Sequence, residues 1–141
     1  MKKGRVVILL AGRLSGKKAI IVKQIDEGRK NRKFGHALVA GIETSPKKIT
    51  KRMSQKKIDA KTRVKPFVKF VNYTHLLATR FTVKDDFDFK NIVTEEALEN
   101  PEERKAMKTA LKAKLTERYR NPEGAGERQT AADFMFKRLR F

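Results

Sequence analysis

The sequence predicts a mainly β chain with an α-helical addition: a small five-stranded barrel with a long basic loop, then a C-terminal helix and an extended tail. Three observations lead there. Short runs of β-branched and large apolar residues recur at close spacing, bounded by glycine and polar residues. Most of these runs have no helix-length pattern between them, which suits a small barrel better than βαβ units. One strong helix start, Asn100-Pro101-Glu102-Glu103, falls late in the chain: asparagine at the N-cap, proline at the first helical position, acids in the first turn.

The elements follow in order. Arg5–Leu10 reads as a strand, carrying Val6, Val7, Ile8, Leu9 and Leu10 between Gly4 and Gly12. Ala11–Gly16 is the turn, where Gly12 and Gly16 suit positive φ. Ala19–Ile25 returns as the second strand of an antiparallel hairpin, and Asp26–Gly35 is a polar, basic loop. His36–Ile42 is the third strand. The stretch 44–66 lacks a sustained apolar period and reads as an extended or partly helical basic excursion. A loop of that length in a compact domain is unusual and is often functional. Phe67–Val71 and Thr79–Val83 supply the last two strands. The helix should run from 101 to about 119, with Met107, Leu111, Leu115 and Tyr119 on one stripe. Asn121-Pro122 ends it, and 123–130 is a linker by composition. The tail, 131–141, holds Phe134, Phe136 and Phe141 among basic residues, and either docks on its own domain or inserts into a partner. Two parts result: residues 1–84 form the barrel with its excursion, and residues 85–141 form the acidic segment, helix and tail.

Charge separates those parts. The 141 residues carry a formal net charge of +19. Residues 1–84 hold 23 Lys and Arg against 4 Asp and Glu, while residues 85–141 hold 12 of each. The excess thus lies in the barrel half, and so large an unneutralised excess calls for a polyanionic partner. The candidate binding residues are Lys2, Lys3, Arg5, Arg13, Lys17 and Lys18 at the hairpin, and Arg29, Lys30, Arg32 and Lys33 in the first loop. Lys47, Lys48, Lys51, Arg52, Lys56, Lys57, Lys61, Arg63 and Lys65 belong to the excursion, and Arg138 and Arg140 to the tail. The eight acids within 85–103, and the balanced helix after them, are candidate contacts to neighbouring proteins.

Several classes drop out. There is no cysteine, hence no disulfide, thiol nucleophile or Cys-ligated metal. No apolar run approaches ~18 residues, so no membrane span is expected. Gly12-Arg13-Leu14-Ser15-Gly16-Lys17-Lys18 mimics a P-loop, but the glycine spacing is short, Lys18 stands at the hydroxyl position, and a strand follows. His36 and His75 lie too far apart in sequence to read as a metal motif, and the acids of 85–103 match no EF-hand loop. No catalytic set, cofactor or small-molecule substrate is expected.

The hairpin has a more specific likeness. Gly4-Arg5-Val6-Val7, the glycine turn, and Lys17-Lys18-Ala19-Ile20-Ile21-Val22 look like a KOW motif, a signature of RNA-binding SH3-like barrels. Further along stand His36-Ala37-Leu38-Val39-Ala40-Gly41-Ile42, Phe67-Val68-Lys69, Asn72-Tyr73-Thr74-His75-Leu76, Thr79-Arg80-Phe81, Glu117-Arg118-Tyr119 and the ending Lys137-Arg138-Leu139-Arg140-Phe141. In that order they resemble the eukaryotic-type large-subunit ribosomal protein family numbered twenty-seven, over nearly the whole chain. The departures are 85–103 and 122–130. The resemblance implies an SH3-like barrel bound to ribosomal RNA and neighbouring ribosomal proteins, without catalysis, in cytoplasmic ribosomes assembled through the nucleolus. The second reading is a KOW-type accessory factor in transcription or ribosome assembly.

Overall fold

The computed structural model describes residues 1–29, 32–83, 89–121 and 131–139. Five strands form one antiparallel sheet: β1 (Arg5–Leu9), β2 (Lys18–Ile25), β3 (His36–Thr44), β4 (Lys65–Asn72) and β5 (Leu76–Thr82), in the order β4-β3-β2-β1-β5. Helix α1 (Gln55–Lys61) lies between β3 and β4. After β5 come α2 (Phe89–Ile92), a 3-10 turn at Glu96–Leu98, α3 (Pro101–Arg120) and α4 (Ala131–Phe136).

Chain connectivity makes the sheet curl. β4 and β5 occupy opposite edges, yet only the 3-10 turn Tyr73–His75 joins them. A flat five-stranded sheet would separate its edges by roughly 19 Å. Asn72 to Leu76 can span at most about 14 Å. The sheet therefore wraps until its edges approach, which gives the barrel-like form expected.

Curling creates two apolar layers, and strand periodicity assigns residues to each. Val7, Leu9, Ala19, Ile21, Ala37 and Val39 gather inside with Phe67, Val71 and Leu76 from both edges, and Leu14 closes the set. Val6, Ile20, Val22, Leu38, Ala40 and Ile42 face the other way and pack with Met107, Leu111 and Leu115 of α3 and with Met135 and Phe136 of α4. Burial on both faces is why β1 to β3 read as continuous apolar runs rather than alternating ones. Gly41 marks the tightest crossing. A Cβ there would lie 2.5 Å from both the Lys18 carbonyl oxygen and the Phe67 ring.

Differences from the sequence reading are local. β5 begins at Leu76 rather than Thr79, because its ladder with β1 extends to the Leu9–Leu76 pair. β3 continues to Thr44 and β4 starts at Lys65, since those two residues pair with each other across a register shift. The helical option in the excursion is realised as α1. The linker expected at 123–130 lies outside the described residues.

Candidate nucleic-acid interface

The hairpin turn is fixed by its glycines, its backbone hydrogen bonds and one buried leucine. Gly12 and Gly16 take φ of 83° and 72°, the left-handed region where a side chain is strained. The Ser15 and Gly16 amides donate to the Gly12 and Leu9 carbonyls at 2.9 and 2.7 Å. Leu14 is buried, so the turn is pinned from below. Arg13 is left exposed and Lys17 half-buried at the tip. At the base of the barrel Lys2 and Lys3 are exposed and Arg5 is half-buried.

The excursion is held at its root and exposed along its length. The Lys47 amide donates to the Lys61 carbonyl at 2.9 Å, closing the loop. Thr62 and Val64, at 3% and 0% exposure, anchor its return, and the Thr62 hydroxyl donates to the Ile58 carbonyl at 3.0 Å. Lys47, Lys48, Lys51, Arg52, Lys56, Lys57, Arg63 and Lys65 are exposed, and Lys61 is half-buried. Asp59 is the one acid in the excursion, and Arg120 engages it at 2.8 Å. Hairpin turn, excursion and tail enclose an open cleft of about 1540 Å³, with Lys17, Lys47, Lys48 and Arg138 among its walls.

Lys18 departs from the expected set. Its side chain is buried at 5% exposure, and its ammonium donates to the Phe134 and Lys137 carbonyls, both at 2.6 Å. It also sits 3.9 Å above the Phe134 ring. Burial, with a smaller contribution from the Lys137 charge, pushes its pKa down. Lys18 therefore ties down the end of α4, where carbonyl oxygens would otherwise lack donors. The tail docks on its own chain: Phe134 stacks on Phe81 at 4.4 Å, and Phe136 meets Tyr119 edge-on at 5.3 Å.

The first loop also loses cations to the chain itself. Arg29 pairs with Glu95, which also binds Lys23 at 2.9 Å. Partial burial pushes the Glu95 carboxyl up, but Lys23 and Arg29 outweigh it and hold the pKa below the usual range. Arg32 lies over the Phe70 ring at 4.7 Å, and Lys33 is exposed. Lys30 and Arg140 lie outside the described residues. Glu95, one of the acids of 85–103 offered as candidate contacts to neighbouring proteins, pairs with Lys23 and Arg29 of the barrel part. Nothing local signalled this, because Arg29 and Glu95 are 66 residues apart.

Histidine chemistry is bland. His36 is buried, with Nδ1 2.9 Å from the Phe34 carbonyl and its ring edge-on to Phe70. Among the described residues no cluster of His, Cys, Asp and Glu could hold a metal ion.

Residues 6–141 match the Ribosomal L27e protein family. The large ribosomal subunit protein eL27 of Tetrahymena thermophila is 51% identical over 143 residues, covering 100% of this chain and 97% of the relative. For eL27B of Saccharomyces cerevisiae and eL27 of Caenorhabditis elegans the identities are 45% and 43% over 141 residues, with the same coverage. The chain belongs to the Ribosomal L27e protein family.

Proposed function

We propose that this member of the Ribosomal L27e family is a structural constituent of the large ribosomal subunit. It binds ribosomal RNA through the hairpin turn, the excursion and the free part of the first loop. It supports translation without catalysing a reaction, works in cytoplasmic ribosomes and reaches them by assembly in the nucleolus. Neighbouring ribosomal proteins are its other partners. The observation that carries this reading is the excursion: Lys48, Lys51, Arg52, Lys56 and Lys57 are exposed, and the single acid among them is engaged by Arg120. Cations that so outnumber acids on a folded frame neutralise phosphates and read the shape of RNA rather than its base sequence. Arginine can fork onto a phosphate or stack on a base, while lysine acts as a point charge.

Cosedimentation tests this reading against an accessory role. A structural constituent remains on large subunits at one copy each after a high-salt wash. Release of most of the protein in that wash would favour the accessory factor.

A further inference from the structure

A second basic surface adjoins the hairpin turn and shares Arg13 and Lys65 with the candidate interface. Between β4 and the first half of α3 runs a groove of about 500 Å³. Seven of its lining residues are cationic and one, Glu43, is acidic. Glu43 is already answered by Arg13 at 3.1 Å and Lys65 at 3.2 Å. Partial burial pushes its carboxyl up, but those two cations outweigh this and hold the pKa below the usual range. Arg104 is turned onto the Leu98 carbonyl. Lys69, Lys105, Lys108 and Lys112 remain, without an acidic partner among the described residues.

Helical spacing aligns these groups. Lys105, Lys108 and Lys112 stand three and four apart, so they share one face, at intervals of about 4.5 and 6 Å along the axis. That face flanks the buried stripe of Met107, Leu111 and Leu115, so packing fixes its direction toward β4. From Arg104 to Thr116 the helix has no acid, so the overall balance of residues 85–141 conceals a locally basic segment. On the opposite wall the Lys69 ammonium lies 4.0 Å from the position a Cβ would take on Gly12 in the hairpin turn. Arg13 therefore borders both the proposed RNA surface and this groove, and the two form one basic strip.

We propose that this groove seats a run of RNA sugar-phosphate backbone, continuous with the RNA held by the hairpin and the excursion. The proposal rests on the RNA-binding reading above. RNA is favoured over an acidic protein segment because the surplus cations are lysines in a line around a small apolar floor of Leu14, Pro66, Phe67 and Val68. Such a row suits a regularly spaced polyanion.

The test uses the full chain, a double-stranded RNA hairpin of arbitrary sequence and a polyglutamate peptide, with affinity followed over a series of salt concentrations. One variant carries Lys69→Gln, Lys105→Gln, Lys108→Gln and Lys112→Gln. A second carries Lys48→Gln, Lys51→Gln, Lys56→Gln and Lys57→Gln in the excursion. Each lost phosphate contact lowers the log–log salt slope by about 0.7 to 0.9, so the groove variant should lose roughly 3 in slope. An arginine version of the groove variant should retain the parental slope, which separates charge from folding. If only the excursion variant loses slope, the groove proposal fails and the RNA-binding reading stands. If neither does, the RNA-binding reading fails as well. Polyglutamate binding that disappears in the groove variant, with RNA binding intact, would assign the groove to an acidic protein and overturn the proposal.

Discussion

Lys18 and Glu95 show how the fold withdraws cations from a partner. Both spend charge within the chain, and both act across long sequence separations. Lys18→Met keeps much of the stem volume but removes the donor from two carbonyl oxygens. It should cost about 1–3 kcal/mol, and hydrogen exchange at 131–137 should accelerate while β1 to β3 stay protected. Unchanged exchange in the tail would show that apolar packing alone docks α4. Glu95 makes a prediction about acid. Its folded pKa lies below the unfolded value, so its stabilisation is complete above the ordinary glutamate pKa of about 4.3 and is lost as pH falls through the lower folded value. Thermal midpoints of the parent and Glu95→Gln should therefore differ near pH 6 and converge toward pH 3. A constant difference across that range would exclude the ion pairs as its source. Neither role was legible in the sequence. Lys18 sits in a run, Lys17-Lys18, that looks like solvated charge, and the carbonyls it binds lie 116 and 119 residues away.

Elements were far more legible than these contacts, for a physical reason. Strands β1 to β3 are buried on both faces, so their sequences are saturated with apolar residues and announce themselves. Helix α3 announces itself by its cap residues and by a stripe at intervals of four. By contrast α1 buries no residue fully, and β5 begins with Leu76, Leu77 and Ala78, which carry no β-branched signal. The strand ends moved because ladders are set by partners, as with Leu9 and Leu76. The seam between α3 and the sheet is where an element-scale change should tell. Leu111 is fully buried there, and Leu111→Ala should cost about 2–5 kcal/mol through lost burial and a cavity. Denaturant unfolding would register this as a lower midpoint with unchanged slope. A cost below about 1 kcal/mol would mean that the helix contributes little to holding the barrel.

At the scale of the whole molecule the charge is sorted by the fold rather than by the halves of the chain. Glu95 engages both Lys23 and Arg29 and cancels one unit of the barrel's excess, and Lys18 is buried. Lys105, Lys108 and Lys112 add to it from a helix whose surroundings sum to neutral. The sequence placed the basic surface on the hairpin and the excursion. It could not show that α3 extends that surface, because only packing against the sheet sets the direction of the helix's basic face. The central claim is that the hairpin turn and the excursion face ribosomal RNA. Ultraviolet crosslinking of intact large subunits, with adducts mapped by mass spectrometry, tests it most directly. Nucleotide adducts are expected on peptides covering 13–17 and 47–65, and none on the buried residues Met135 and Phe136. Peptides from 13–17 and 47–65 that carry links to neighbouring proteins and no nucleotide would contradict it.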